Sequence, residues 1–331
     1  MTLRQAQGPV LPAQGPDLEA SATDAATAAI ARDEASGTVI DPVARDAGAP
    51  DRLPERRSSA ARLFARGRRP SWTLVAAIAV IAIAVLWAVV PWLFTSYDPL
   101  DGVPADKLLP PSAAHWFGTD AIGRDLYARV VYGAIHSLSG ALIAVTVGLA
   151  AGTVIGVLAG SVGGWIDDVL MRLVDVLLSI PGLLLMLSII ILLGFGTVNA
   201  AIAVGVVSVA SFARLSRSEV VRGRRTDYVE AAFGSGGTFA AVLGRHVLPN
   251  SLTAVVGLAA LQFGSAILAI STLGFLGYGA PPPTPEWGLL IAEGRNYVAT
   301  AWWLTTLPGL VVLVVVLSAN RISQSIGRGT R

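Results

Sequence analysis

The chain has 331 residues, of which 53% are hydrophobic and only 14% charged, with 24 basic and 22 acidic side chains and a formal charge of +2. Soluble domains carry roughly 25% charged residues, so this composition excludes an ordinary soluble domain and points to a membrane protein. Without cysteine there are no disulfides or thiolate metal sites, and arginines that cluster in particular loops report topology rather than nucleic-acid binding.

Residues 1–71 are rich in Ala, Pro, Asp and Arg and lack apolar periodicity, which predicts a disordered cytoplasmic tail. The tail ends in Arg52, Arg56, Arg57, Arg62, Arg66, Arg68 and Arg69 against the single acid Glu55. A basic flank directly before an apolar run reads as an inside-facing anchor. That run, 72–94, starts too far in and is too long for a signal-peptide core. At 1.5 Å per residue it can cross a hydrocarbon layer of about 30 Å, with Trp72, Trp87 and Trp92 available for the interfaces. Further spans are predicted at 137–160, 169–193, 198–213, 252–275 and 301–319, giving an all-α membrane protein with six transmembrane helices.

Between the first two spans, HWFGTDAIGRDLYARVVYGAIHSL (115–138) is turn-rich and partly aromatic. No second His, Cys or close carboxylate pair completes a ligand set around His115, so a structural or docking role is expected for it. Gly148, Gly152, Gly156, Gly160 and Gly164 recur at steps of four, a face on which helix backbones can approach closely. Asp168, Arg172 and Asp175 have i, i+4 and i, i+3 spacing, which predicts charge pairs within one helix face, and Pro181 predicts a bend. The other spans hold almost no charge, so an ion-coupled carrier or proton pump lacks its embedded ionisable groups. Lys107 is the only lysine, which rules out a G-x-x-x-x-G-K-[ST] phosphate loop; energy must come from another subunit.

The segment 226–250, TDYVEAAFGSGGTFAAVLGRHVLPN, is the longest polar interruption of the apolar region. Asp227 with Glu230 predicts a capping box, followed by a small-residue face of Tyr228, Ala231, Ala232 and Ser235. Gly234, Gly236 and Gly237 then make further helix costly, by up to about 1 kcal/mol each relative to Ala. Thr238 is the expected cap of a second helix with a stripe of Phe239, Val242, Leu243, His246 and Val247, which Pro249 should end. Such a pair would lie flat beside the membrane, one face on the protein body and the other free for a partner. The loop from Arg214 to His246 holds Arg214, Arg217, Arg222, Arg224, Arg225 and Arg245, and the C-terminal end holds Arg321, Arg328 and Arg331. The alternate loops hold only Lys107, Arg124, Arg129 and Arg295, so both ends and the 226–250 loop are expected to be cytoplasmic. In 271–298, Pro281, Pro282, Pro283 and Pro285 preclude a helix interior, and irregular backbone at membrane depth needs shelter from protein or a cavity.

Glu230, Ala231, Ala232, Gly236, His246, Leu248 and Pro249 match the E-A-A … G … L-P pattern of a coupling loop. On these residues the chain resembles the permease subunits of ABC importers, and its H-V-L-P-N form resembles the branch for dipeptides, oligopeptides and nickel. His115–Asp120 with Gly123–Leu126 is similar to the segment that introduces the C-type subunit of that branch. Phe275, Leu276, Gly277, Gly279, Pro281, Pro282, Pro285, Trp287 and Gly288 resemble its external re-entrant loop, and Asn320 also fits. The resemblance covers 70–322. It departs at Ile270, where a glutamate is usual, at Ile135, often an arginine, and in the C-terminal ISQSIGRGTR.

The resemblance implies a first helix and external loop at 72–136, a permease core at 137–322 and a cytoplasmic C-terminal tail at 323–331. The implied function is that of a permease subunit of an ATP-driven importer for di- or oligopeptides in the bacterial plasma membrane, with nickel chelates or another small solute as the alternative. No catalytic or cofactor site is implied in this chain; ATP and Mg would be bound by two cytoplasmic ATPase domains. A homologous second permease, an extracytoplasmic solute-binding protein and the lipid bilayer complete the expected partners, without nucleic acid. Asp227, Tyr228, Glu230, Ala231, Ala232, Gly236, His246, Leu248 and Pro249 would take up the ATPase motion, and Phe275, Gly277, Pro281, Pro282, Trp287 and Gly288 would form the external or gate loop. Two other classes remain open. A membrane enzyme would need a base near Ser179, Ser188 or Ser208, and a stand-alone channel or scaffold has no need of the helix pair.

Overall fold

The computed structural model describes residues 72–329; the expectations for the 1–71 tail and for Arg331 lie outside the described residues. Helix α1 (Trp72–Val89) is followed by short 3-10 turns at Pro91–Leu93 and Pro104–Asp106 and an irregular segment to Asp125. Then come α2 (Leu126–Val162), α3 (Gly164–Ser179), α4 (Gly182–Leu193) and α5 (Thr197–Arg224). The short α6 (Asp227–Gly234) and α7 (Phe239–Val242) lead through a π-helical turn, Leu243–Val247, into α8 (Leu248–Phe275). A short α9 (Trp287–Gly294) and a final α10 (Trp303–Gly329) complete the fold. Extended pairing among the described residues is limited to one isolated bridge between Thr119 and Asp125.

Among the described residues five helices, α1, α2, α5, α8 and α10, are long and apolar enough to cross a membrane; counting the bent pair α3–α4 as one span makes six. Pro181 was expected to bend this region, and the break is sharper than a bend: α3 and α4 meet at 96°. Ile180 leaves the helix in an extended conformation, as the residue before a proline prefers, and Pro181 starts the next helix. The second predicted span begins eleven residues too late, because α2 starts where Asp125 caps it through a 2.7 Å bond from the Ala128 N–H. The fourth is longer than predicted. The polar run from Arg214 to Arg224 has good helix formers that a hydropathy criterion discards, and α5 continues through it.

The core joins α2 and α5 with α8, α9 and α10 through buried residues such as Ala144, Ala200, Phe212, Ile267, Ile270 and Val315. Helices α2 and α5 run parallel, since contacts advance along both together. Cβ atoms built on Gly148, Gly152 and Gly156 would meet Ser208 Cβ at 2.8 Å, Phe212 Cβ at 2.5 Å and the Ala213 carbonyl oxygen at 2.3 Å. Gly160 faces Val220 in the same way, at 3.0 Å. The stripe therefore lies against α5 of the same chain. Gly164 is not part of it: the residue follows the end of α2, has φ +60° and would meet nothing within 4 Å.

The charge pairs of α3 also differ from expectation. Asp167 takes a two-pronged bond from Arg217 of α5, both contacts at 2.5 Å, and Asp175 pairs with Arg214 at 2.7 Å. A helix standing against another offers fixed partners across the interface, and α5 presents its arginines where α3 presents its acids. One end of the bundle is defined by Arg224 Nη1, which donates to the Gly160 and Ser161 carbonyls at 3.0 and 2.8 Å. At the terminus of α10, Arg321 Nε donates to Thr73 Oγ1 at 3.1 Å.

Candidate functional site

The predicted helix pair forms at this arginine-rich end, with local chemistry that differs from the expected capping box. Thr226, not Asp227, precedes the helix: its carbonyl accepts from the Val229 and Glu230 N–H groups, and Asp227 is the first helical residue. Glu230 stays exposed on the outer side. The helix closes where the Gly237 N–H reaches the Ala232 carbonyl at 3.0 Å around Gly236, which has φ +88°. This six-to-one bond around a left-handed residue is the glycine-requiring C-terminal motif of helices. Thr238 occupies the cap position of α7 with its backbone only; its side chain makes no capping bond.

Pro249 does not end the second helix. The chain passes from α7 through the π turn directly into α8, and Pro249 sits in the first turn of α8, where a missing N–H costs nothing. The inward face is made of valines. Val229 of α6, with Ala232 beside it, packs with Val242, Val247 and Leu248 against Val220 of α5 and Val157 of α2. Of the small-residue face, Tyr228, Ala231 and Ser235 are exposed and Ala232 is half-buried, and β-branched valines fill the groove beside α5. Arg224 reaches over the Phe239 ring, 5.7 Å from its centroid. The pair is thus locked to α5 and α2 on one side and presents Tyr228, Glu230, Ala231 and Gly236 on the other. Leu248 is half-buried, and His246 takes its place in the π turn.

At the opposite end, two irregular segments pack on the start of α2. In the first, Gly118 and Gly123 have φ +76° and +84°, and a Cβ on Gly123 would lie 1.9 Å from the Val103 carbonyl oxygen. His115 Nδ1 lies 2.9 Å from Asp125, the residue that caps α2, and its ring stacks at 5.2 Å from that of Tyr97. In the second segment, Phe275 ends α8, Gly277 has φ +86°, and Pro281 and Pro282 form an exposed tip. Trp287 is fully buried, its Nε1 donating to the Val130 carbonyl at 2.9 Å, and a Cβ on Gly288 would lie 2.1 Å from the Ser271 carbonyl oxygen. Pro285 through Leu290 are buried, so the shelter that irregular backbone requires is supplied by α2, α8 and α10.

Sequence reasoning missed the charges that hold these segments. Glu286, fully buried, caps α9 through the Gly288 and Leu289 N–H groups at 2.9 and 3.0 Å, and Ser137 of α2 donates to it at 3.3 Å. Gly274 makes room for it: a Cβ there would lie 2.2 Å from Oε2. Burial pushes the Glu286 carboxyl above its ordinary value, against the pull of those three donors. Asp120, Arg124 and Arg129 form a second buried set, which the half-buried Glu293 joins. The desolvation that would raise the Asp120 carboxyl is outweighed by the Arg124 and Ile122 N–H groups and the Arg124 guanidinium, which hold it below the usual range. A glutamate just before Trp-Gly, after a proline run, was the available signal for Glu286.

Among the described residues no three of His, Asp and Glu gather as a metal-ligand set. Ser179, Ser188 and Ser208 donate to carbonyls of their own helices, at 2.8, 2.9 and 3.0 Å. The arrangement suits mechanical work. Five or six apolar helices with an elbow packed against them at one end are the architecture of a multi-pass membrane protein. The chain belongs to the family of binding-protein-dependent transport system inner membrane components, whose match covers residues 152–331.

Among its relatives is a dipeptide transport system permease protein of Alkalihalophilus pseudofirmus, 40% identical over 252 residues, 76% of this chain and 83% of that one. A probable D,D-dipeptide transport system permease protein of Escherichia coli is 39% identical over 254 residues, 77% of this chain and 85% of that one. An inward-facing structure of the MetNI methionine ABC transporter shares the fold at a TM-score of 0.51 and 17% identity, covering 61% of this chain and 96% of that chain.

Proposed function

We propose that the chain is the permease subunit of an ATP-driven importer of short peptides. Its elbow, 227–249, receives the motion of cytoplasmic ATPase subunits, and both chain ends lie on that same cytoplasmic side of the bacterial plasma membrane. The observation that carries this reading is the two-sidedness of the elbow: Val229, Val242 and Val247 are buried against α5, while Glu230, Ala231 and Gly236 are exposed. A push on the exposed edge is therefore transmitted to α5 and α8 rather than absorbed by a loose loop. The dipeptide permeases among its relatives support peptides as cargo. A homologous second permease would enclose the path, and a solute-binding protein would deliver the cargo at the opposite end. ATP and Mg belong to the ATPase subunits.

Glu230→Lys reverses charge on the exposed edge, and Gly236→Pro cannot adopt φ +88°. Both variants should insert and assemble in the membrane, yet lose peptide-dependent ATP hydrolysis in the reconstituted complex. Normal coupled hydrolysis in both would overturn the assignment of the elbow.

A further inference from the structure

The coupling reading leaves unused a cavity of about 290 Å³ between the first irregular segment and α9, at the end away from the elbow. Four charges converge on it. Arg124 Nε and Arg129 Nη1 donate to Asp120 Oδ2 at 2.6 and 3.0 Å, and the same two guanidinium groups reach Glu293 Oε2, at 3.4 Å from Arg124 Nη2 and 2.5 Å from Arg129 Nη1. Asp120 is saturated, because its other oxygen accepts the Ile122 and Arg124 N–H groups at 2.9 and 3.0 Å.

Around Glu293 the set is incomplete. Its side chain is 30% exposed, whereas that of Arg129 is fully buried, and among the described residues only one of its carboxylate oxygens is engaged. Arg129 Nη2 donates to the Pro283 carbonyl at 3.4 Å, which leaves only its Nε buried without a partner. Buried charges are stable when their remaining donors and acceptors are filled, so these open positions ask for ligand groups. They ask for both kinds: an acceptor for the guanidinium groups and a donor for the free oxygen of Glu293. A simple anion would crowd the two carboxylates, and a simple cation would leave the arginines unfilled. The rest of the lining includes Leu126, Leu290 and Leu304, apolar walls suited to an aliphatic side chain.

We infer that this cavity is an acceptor subsite for a small zwitterion, with its carboxylate toward Arg124 and Arg129 and its ammonium toward Glu293. That the zwitterion is a short peptide rests on the import reading above; the volume sits at the lower end of small-ligand sites, which limits it to a few residues.

The test uses the assembled complex in nanodiscs and a dipeptide of alanine and photoreactive leucine, with labelled residues mapped by mass spectrometry. Label should fall within 120–129 and 290–297, compete with excess dialanine, and weaken about tenfold when the probe is N-acetylated or C-amidated, the loss expected for one charge-assisted bond. Asn296→Trp, a change at the exposed rim, should close the mouth and abolish the label without lowering Tm. Glu293→Gln should shrink the penalty for N-acetylation while keeping that for amidation, a split that loss of a purely structural ion pair would not produce. Absence of competable label at these residues, or full label in Asn296→Trp, overturns the subsite. Dipeptide uptake into proteoliposomes is measured separately. Competable label without uptake would sink the import reading and leave the subsite standing, and uptake without label would do the reverse.

Discussion

Glu286 shows how much one side chain can hold together. A carboxylate with no exposure is held by two backbone N–H groups and Ser137, which ties the proline-rich segment to α2 and starts α9. Glu286→Ala strands those donors and should cost about 1–3 kcal/mol, while Glu286→Gln keeps an acceptor and should cost less. Because burial raises this carboxyl in the folded protein, the folded state binds more protons than the unfolded chain between the ordinary carboxylate value and the raised one. Stability should therefore fall as pH rises through that window and level off above it, and Glu286→Gln should flatten that part of the curve. Thermal unfolding in detergent between about pH 4 and 8 tests this, and an unchanged slope in the Gln variant would assign the pH dependence to another group. The cap on α9 is local, but the tie to α2 is not legible in the sequence, since Ser137 lies 149 residues away. His115 and Asp125 were both visible within one motif, but their pairing needed the turn at Gly118 and Gly123 to fold the segment back.

At the scale of elements, the glycine stripe of α2 was legible because its four-residue period is a property of one helix. Its partner was not, because the sequence leaves open whether the close approach is to the same chain or another. The structure supplies α5, running parallel. Gly152→Leu drives side-chain atoms into Phe212 and the Val209 carbonyl, whose oxygen a Cβ alone would approach to 2.6 Å, and should destabilise by about 1–3 kcal/mol as overpacking does. Gly257→Ala in α8, where a Cβ would meet nothing within 4 Å, should be neutral or stabilise by up to about 1 kcal/mol. Equal Tm values for the two variants would refute this account of the α2–α5 contact. The elbow shows the reverse balance. Its helix–glycine–helix plan was readable from local chemistry, but spacing alone did not say which face of the first helix is buried. The groove beside α5 takes Val229, with Ala232 half-buried beside it.

For the molecule as a whole, the arginine distribution predicts direction, and among the described residues two of those arginines close one end of the bundle. Arg224 closes on the end of α2, and Arg321 on the start of α1. The natural chain has no cysteine, so single substitutions report orientation directly. Ser235→Cys at the elbow should react with an impermeant maleimide only from the cytoplasmic side in sealed vesicles, and Ser96→Cys after α1 only from the opposite side; the converse pattern would invert the topology and detach the elbow from any cytoplasmic ATPase. Length and hydropathy suffice to find helices that bury all their own backbone polar groups, so the all-α class and most spans were readable from composition and period. The 96° break of α3–α4 exceeded the bend that Pro181 implied, and Asp167 and Asp175 of α3 pair with arginines of α5.

What the sequence determined by itself is what depends on neighbours along the chain: helix-forming apolar runs, the glycine that a left-handed turn needs at Gly236, and a polar elbow flanked by arginines. Tertiary structure alone decided which face of each helix is buried, which arginine meets which acid, and that Asp120, Arg124, Arg129 and Glu293 surround one cavity. The physical reason is range. Capping, periodicity and turn strain act over a few residues, whereas desolvation and ion pairing depend on groups brought together from more than a hundred residues apart, and only the packed bundle sets those distances.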